Sequence, residues 1–176
     1  TSTLQQVSSG RLGFGASRTM QIAQKLYQGI EIEGETIGLI TYMRTDGTNI
    51  SKDAVSTFRD YIRNQYGKEY VPKDPLSYSG KKAKNAQEAH EAIRPTDILK
   101  SPNSIKKYVS PDQYKLYDLI WSRAIASQME SAKFDRNTIT VTSIDNNTIC
   151  KASGSVIKFD GFLKVMKDNK KDNDDN

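Results

Sequence analysis

The sequence predicts an α+β fold that is mostly helical, with the helices first and short antiparallel strands last. Up to about residue 130 the apolar residues recur at helical spacing, whereas after Lys133 they alternate with polar residues, as in strands. We therefore expect a helical domain over residues 1–130 and strands over residues 131–166. The polar, low-complexity end, residues 167–176, is expected to be disordered.

Two helices are predicted at the start of the chain, over residues 3–12 and 17–28. Residues 13–15, Gly-Phe-Gly, separate them, and residues 1–3, Thr-Ser-Thr, are typical of a helix N-cap. This is the outline of a helix-turn-helix, but the spacing fits an ordinary helical hairpin packed in a core equally well. One alternative for the chain is therefore a non-catalytic helix-turn-helix DNA-binding module in which Tyr42 is buried.

The middle of the chain is expected to alternate between short extended pieces, loops and helices. Residues 37–43, rich in Ile and Leu, predict a short strand or an extended piece, and Ser51 is expected to cap a helix that ends at Gly67. Residues 72–84 are predicted to form a loop because they are rich in Pro, Ser, Gly and Lys. Ser110 and Pro111 begin the longest predicted helix, whose apolar stripe we interpret as core: Tyr114, Tyr117, Ile120, Trp121, Ala124, Ile125 and Met129.

Short strands are predicted for the last part of the chain. The first two cover residues 138–142 and 148–152, and a turn at residues 145–147, Asp-Asn-Asn, joins them. Two more are predicted over residues 156–159 and 162–165, on either side of Asp160 and Gly161. The boundary between helices and strands is expected near residue 131.

Composition limits the classes of function. No apolar run reaches the roughly 18 residues of a membrane span, so no membrane partner is expected and a cytoplasmic setting is the simplest expectation. The single cysteine, Cys150, allows neither an internal disulfide nor a zinc site. The net charge is +5, with basic clusters that would attract a polyanion through phosphate contacts, at Arg11, Arg18 and Lys25 and at Lys81, Lys82 and Lys84.

Tyr42 and Arg44 are the candidate catalytic pair. In a strand, side chains two residues apart project from the same face, so the phenol and the guanidinium would point the same way. A tyrosine hydroxyl is a poor nucleophile at neutral pH unless positive charge stabilises the phenolate and the attacked phosphate, which an arginine fork can do. Asp46 is a candidate partner for Arg44, or simply a turn residue before Gly47. Read by pattern alone, the pair also fits a half-buried strand tyrosine beside a solvated arginine.

His90 is the only histidine of the chain. An imidazole can donate to a phosphate or shuttle a proton, although a lone histidine is more often structural. Glu88 and Glu91 flank it, and either could orient His90 or Arg94.

Two long sequence words identify a family. Residues 38–46, Gly-Leu-Ile-Thr-Tyr-Met-Arg-Thr-Asp, and residues 86–95, Ala-Gln-Glu-Ala-His-Glu-Ala-Ile-Arg-Pro, closely resemble the central region of bacterial type IA DNA topoisomerases. Residues 1–6 and 18–27 are similar to the same family, and all four words occur in the family's order. Gly47 stands where many relatives carry a serine, which leaves the Tyr-x-Arg pair intact.

The resemblance implies an ATP-independent reaction on single-stranded DNA. Tyr42 would attack a backbone phosphate and form a 5′-phosphotyrosyl link, and religation after strand passage would relax negative supercoils. His90 would help to hold the DNA, with Arg94 as a weaker phosphate contact. The family uses Mg²⁺ bound by a separate Toprim domain, so no metal site is expected in this chain.

The same resemblance implies that the chain is a piece of a longer enzyme. The helical domain that carries the tyrosine would be inserted into a β-rich arch domain, to which the final strands belong. Toprim and arch domains of the same polypeptide would be its partners, and the isolated piece is expected to be inactive without them.

A third possibility is another enzyme with a tyrosine nucleophile. A tyrosine recombinase would carry several dispersed Arg and His residues around a C-terminal tyrosine, and a relaxase would carry a histidine triad for a metal. Neither pattern fits as well, and a single histidine excludes the relaxase.

Overall fold

A computed structural model describes residues 1–78, 91–144 and 147–166 of the chain. Its helices are α1 (Ser2–Leu12), α2 (Ala16–Gln28), α3 (Lys52–Tyr66), α4 (Pro102–Ile105), α5 (Pro111–Ala126) and α6 (Leu163–Met166). Its strands are β1 (Ile30–Ile32), β2 (Glu35–Ile37), β3 (Lys133–Thr142) and β4 (Ile149–Phe159). Helices therefore dominate and the strands form antiparallel pairs, which confirms the predicted α+β, mostly α, fold class.

The predicted helices form close to their expected ends, except that α5 ends at Ala126, before Met129 of its predicted stripe. Helix α1 ends at Gly13, whose φ of 68° lies in the left-handed region that favours glycine. Helix α3 begins at Ser51, whose hydroxyl accepts a hydrogen bond from the Ala54 amide. Helix α5 begins with a capping box, in which the side chains of Ser110 and Gln113 each accept a hydrogen bond from the other residue's backbone N–H.

The core is built around α5. Its buried stripe packs against α2, α1, α4 and α6, and the cluster also takes in Phe58 and Ile62 of α3. Two aromatic side chains of α5 anchor the polar edge of this core. Tyr117 donates to the Lys100 carbonyl at 2.7 Å, and the Trp121 indole N–H donates to the Ile98 carbonyl at 3.1 Å. The stripe predicted from sequence is therefore core, with Tyr114 only partly buried.

Strands β3 and β4 form an exposed two-stranded ribbon. The pairing runs from Lys133 opposite Phe159 to Thr142 opposite Ile149. Two separate strands over residues 148–152 and 156–159 were expected, and this prediction is wrong because β4 is continuous. Gly154 lies within the ladder, opposite Asn137, and does not break it.

The strand expected over residues 162–165 is also wrong. The chain turns at Asp160 and Gly161, where φ is 50°, and enters α6. Val165 of α6 is buried, and the helix packs against α5. The apolar pair Phe162 and Val165 is too short a run to distinguish a strand from a helical turn by its spacing.

Of the short strand or extended piece expected over residues 37–43, only Ile37 belongs to a strand, and an irregular segment follows it. Strand β2 ends at Ile37 and pairs with β1, a strand that the sequence analysis did not predict. Beyond it, the described residues show one bridge, between Ile40 and Pro95. A Cβ at Gly38 would lie 2.7 Å from the Tyr27 carbonyl oxygen, so the close approach of the two backbones at the end of β2 requires glycine.

Several predictions fall wholly or partly outside the described residues. Residues 71–78 form neither helix nor strand, as predicted for a loop, whereas residues 79–84 of that loop are not described. Also outside are His90, Glu88, two residues of the turn at 145–147 and the end of the chain, 167–176. Within the described residues, no helix is long and apolar enough to cross a membrane. The division into domains at residue 131 stays a prediction.

Candidate active site

The segment that carries Tyr42 is held by its main chain. The Leu39 amide donates to the Leu26 carbonyl of α2 at 2.8 Å. The Thr41 amide donates to the Arg94 carbonyl at 2.9 Å, and the Thr96 amide donates back to the Leu39 carbonyl at 3.1 Å. The side chains between these bonds, Leu39 and Ile40, are buried. Residues 39–41 are therefore fixed on both sides before the chain reaches the tyrosine.

Exposure alternates along residues 42–46. Tyr42 is 42% exposed, and Arg44 and Asp46 are also exposed, whereas Met43 and Thr45 are buried. Both members of the predicted catalytic pair thus reach solvent, although the segment is bent and unpaired there and is not the regular strand that the prediction assumed. A buried Tyr42, which the helix-turn-helix alternative required, is excluded.

A second tyrosine lies against Tyr42. The ring of Tyr27, at the end of α2, packs edge to face with that of Tyr42, with centroids 5.3 Å apart and planes at 63°. Within the described part of the chain, the Tyr42 hydroxyl makes no hydrogen bond. The phenol is therefore packed at its ring, while the residue as a whole stays exposed.

Arg44 and Asp46 line an open cleft of about 520 Å³, together with Thr1, Ser2, Gln5 and Thr45. No ion pair joins Arg44 to Asp46 or to any other described residue, so the predicted partnership of the two remains a prediction. The start of α1 forms the other wall of the cleft. An exposed guanidinium beside an open cleft can bind a phosphate without first breaking a salt bridge.

Arg94 is placed differently. Its guanidinium donates to both carboxylate oxygens of Glu91, at 2.9 and 3.0 Å, and to the Pro95 carbonyl at 2.9 Å. Glu91 also accepts from the Ser51 amide at 2.9 Å. Burial alone would raise the pKa of Glu91, but the hydrogen bonds from Arg94 and Ser51 outweigh it and lower that pKa. Glu91 therefore fixes the orientation of Arg94, one of the roles proposed for it from sequence.

Arg18 lies apart from the cleft. It pairs with Asp112 at the start of α5, at 2.5 Å, and its guanidinium lies 4.8 Å from the centre of the Phe14 ring. The pair ties α2 to α5 at the surface. The predicted contact of Arg18 with DNA stays a prediction, as does that of His90, which lies outside the described residues.

The described residues do not fit a magnesium ion. No group of three or more His, Cys, Asp or Glu side chains in the described ranges is placed to hold a metal. Glu91, the acidic residue beside Arg94, is already engaged by the Arg94 guanidinium and the Ser51 amide.

Two partners of the site were not predicted as such. Tyr27 and Thr1 lie in sequence words that resemble the family, but neither was predicted to contact residues 42–46. Each meets residues 42–46 through the tertiary fold, at sequence separations that no local pattern reports.

Comparisons with known proteins agree with the family resemblance. A family model described as DNA topoisomerase matches residues 1–176. DNA topoisomerase 1 of Rickettsia prowazekii is 52% identical over 175 residues, which cover 99% of this chain and 22% of the relative. DNA topoisomerase 1 of Helicobacter pylori is 48% identical over 172 residues, covering 98% of this chain and 23% of the relative.

A solved structure agrees as well. The full-length topoisomerase I from Thermotoga maritima matches with a TM-score of 0.82 and 39% identity, over 100% of this chain and 27% of that one. The chain thus spans about a fifth of the length of the curated relatives it matches. Because the family model and these relatives cover nearly all of its residues, the chain belongs to the bacterial DNA topoisomerase I family.

Proposed function

We propose that the full-length protein is an ATP-independent type IA DNA topoisomerase that acts in the cytoplasm and uses Tyr42 as its nucleophile. The observation that carries this proposal is the exposed Tyr42, two residues before an exposed Arg44, on a segment whose neighbours are buried and hydrogen-bonded. An anchored backbone with free side chains is what a positioned nucleophile requires.

The reaction is a transesterification. The Tyr42 oxygen forms a bond to the phosphorus of a backbone phosphodiester in single-stranded DNA, and the phenolic proton passes to a base. The bond from phosphorus to the 3′-oxygen breaks, and this oxygen leaves as a hydroxyl after it takes up a proton. One phosphodiester replaces another, so the 5′-phosphotyrosyl link can be reversed after strand passage without ATP. Negative supercoils are relaxed by this cycle.

Arg44 has the clearest assisting role. Charge builds up on the non-bridging phosphate oxygens in the transition state, and an arginine fork can donate to two of them. Asp46, in the same cleft, would limit how far the guanidinium can swing. His90 and Arg18 are proposed to hold the DNA.

Arg94 would contact a phosphate through the N–H groups that Glu91 and Pro95 leave unused. Because Glu91 grips the guanidinium through both oxygens, such a contact would be made by a side chain that is already oriented. Its charge is partly neutralised by Glu91, so its contribution should be smaller than that of Arg44.

The magnesium ion of the family is proposed to bind in a Toprim domain elsewhere in the polypeptide. The chain by itself should therefore leave supercoiled plasmid unrelaxed in the presence of Mg²⁺. The Toprim and arch domains of the same polypeptide, together with single-stranded DNA, would be its partners.

The test is a covalent-adduct assay with the full-length protein and a labelled single-stranded oligonucleotide. Tyr42→Phe should abolish the adduct, whereas Tyr27→Phe, which removes the hydroxyl of the adjacent and equally exposed tyrosine, should retain it. Arg44→Lys keeps the charge but loses the fork, so cleavage should fall by about a hundredfold while binding changes little.

Other outcomes would contradict the proposal. An adduct that persists in Tyr42→Phe would exclude this nucleophile. Equal cleavage by wild type and Arg44→Lys would exclude the positioning of the phosphate by Arg44. If wild type forms no adduct yet binds DNA, and Arg44→Lys binds as well, the chain is part of a binding protein.

A further inference from the structure

Thr1 contacts the main chain on both sides of Arg44. Its hydroxyl lies 2.8 Å from the Met43 carbonyl oxygen and accepts from the Thr45 amide at 2.9 Å. The same hydroxyl also lies 3.0 Å from the Thr45 carbonyl oxygen. Residues 43 and 45 are separated from Thr1 by more than 40 positions in sequence, so this contact is made by the fold and not by local structure.

The Thr1 hydroxyl does not cap helix α1. Thr1 stands at the N-cap of α1, where a threonine ordinarily accepts a hydrogen bond from the second or third amide of the helix, yet it makes no capping bond. By contrast, Ser51 and Ser110 cap α3 and α5 with their side chains. The first turn of α1 forgoes a side-chain cap, and the hydroxyl is used on residues 43–45 instead.

The anchoring of residues 43–45 extends to the residues that follow them. Thr45 is 7% exposed, and its own hydroxyl accepts from the Gly47 amide at 2.9 Å, which extends the support by two residues. Met43 is fully buried. Arg44 lies between these two anchored residues, so the direction in which its side chain leaves the backbone depends on the contacts of Thr1.

We propose that Thr1 is a positioning residue for Arg44. This inference rests on the proposed function, because it matters for cleavage only if Arg44 meets the attacked phosphate. Without the hydroxyl, residues 43–45 can shift and the guanidinium is no longer held where the transition state needs it. DNA binding depends on many phosphate contacts and should change little. Thr1 should therefore affect the maximal rate of cleavage and leave unchanged the protein concentration that gives half of that rate.

The first arm of the test is single-turnover cleavage of a labelled single-stranded oligonucleotide by the full-length protein at several protein concentrations. Thr1→Val has the same shape without the hydroxyl, Thr1→Ser restores the hydroxyl, and Thr3→Val is a matched control. Thr3 is exposed on the same first turn, and its side chain makes no hydrogen bond within the described ranges. We expect Thr1→Val to lower the maximal rate by about tenfold to a hundredfold with half-saturation unchanged, and the other two variants to match wild type.

The second arm measures hydrogen exchange at the Thr45 amide in the 176-residue chain. This amide should exchange about tenfold faster or more in Thr1→Val than in wild type or Thr3→Val, while the amides of α5 keep their protection. Unchanged exchange means that the hydroxyl does not hold the segment, and overturns the inference whatever the kinetics show.

The two arms separate this inference from the proposed function. If wild type cleaves and Thr1→Val is equally fast, or Thr1→Ser is as slow as Thr1→Val, the positioning role is refuted while the topoisomerase assignment stands. The role would equally be refuted if Thr1→Val raised only the protein concentration at half-saturation and left the maximal rate unchanged. If wild type forms no adduct, the proposed function fails, and with it the role of Thr1 in cleavage.

Discussion

Replacing Glu91 by alanine should destabilise the fold more than the loss of a surface ion pair would. The carboxylate accepts three hydrogen bonds, two from the Arg94 guanidinium and one from the Ser51 amide. The side chains of Glu91 and Arg94 are only 31% and 14% exposed. In Glu91→Ala the partly buried guanidinium keeps one partner, the Pro95 carbonyl, and the Ser51 amide loses its acceptor.

The magnitude follows from these contacts. Each hydrogen bond to a charged group contributes roughly 1.5–3 kcal/mol, but water can reach the vacated site and reduce the total. We expect Glu91→Ala to lower the free energy of unfolding by about 2–3 kcal/mol. The matched control is Asp60→Ala, which breaks the pair between Asp60 and Arg63 at the same spacing on α3. Those side chains are 61% and 48% exposed, so the cost should stay below about 1 kcal/mol.

The assay is urea unfolding of both variants and wild type, followed by circular dichroism at neutral pH. Nearly equal losses in Glu91→Ala and Asp60→Ala would refute the reasoning, because they would show that the Glu91 pair is no better supported than an exposed one. A change in the denaturant slope would indicate an altered unfolded state and would require a second measure of stability.

The pH dependence gives an independent check. Because the pKa of Glu91 is lowered in the folded state, its contribution is fully present above the ordinary glutamate pKa of about 4.3 and is lost as the pH falls below it. The difference in stability between wild type and Glu91→Ala should therefore shrink on acidification. A difference that grows as the pH falls would contradict the assigned sign.

Three further outcomes are expected. Gly161→Ala should lower the free energy of unfolding by at least about 2 kcal/mol, because φ is positive and a Cβ would strike the Glu130 carbonyl; thermal unfolding measures it, and a loss under about 0.5 kcal/mol would contradict it. Gln128→Ala should lower the free energy of unfolding by about 2 kcal/mol and speed proteolysis near Leu76, because the amide and the carbonyl of Leu76 both hydrogen-bond to the Gln128 side chain. Unchanged rates of proteolysis would contradict this prediction. Burial raises the pKa of Tyr117, so its stabilising effect should be fully present below about pH 10 and decrease above it. In urea unfolding, the difference in the free energy of unfolding between wild type and Tyr117→Phe should therefore become smaller as the pH is raised above about 10. A difference that stays constant would refute this reasoning.

Local rules account for the parts of the fold that sequence predicted well. Helix α5 begins where Ser110, Pro111 and Gln113 form a capping box, and its apolar stripe is long enough to show a helical period. Helix α3 is bounded by Ser51 and Gly67 for similar reasons. In each case the determining residues lie within a few positions of the helix end, so that the sequence alone carries the information.

Errors arose where tertiary contacts decide the structure. Residues 163–166 could form a strand or a helix, and the buried place of Val165 against α5 selects the helix. Strand β4 runs through Gly154 because its pairing with β3 holds the backbone straight despite the glycine. The segment after Ile37 leaves its hairpin at Gly38, where the Tyr27 backbone approaches closely. Neither partner strand nor crowding atom can be read from the local pattern.

The candidate site divides in the same way. Exposure of Tyr42 and Arg44 was predictable, since alternation of buried and exposed residues survives in an extended chain even without a ladder. The contacts that hold the site were not predictable, because Thr1 and Tyr27 reach it from α1 and α2, which are distant in sequence. The family resemblance led to the prediction that Tyr42 is the nucleophile, whereas the contacts that hold its segment are visible only in the fold.

Different parts of the chain hold the two sides of Tyr42. Residues 39–41 are held by the main chain of Leu26 in α2 and of residues 94–96, whereas residues 43–45 are held by Thr1. Tyr42 lies between them, so a shift of Thr1 and the start of α1 would move Arg44 relative to the phenol. The position of Arg44 relative to the proposed nucleophile thus depends on where the start of α1 lies. A substitution that loosens α1 should reduce cleavage, even if it lies far from the DNA.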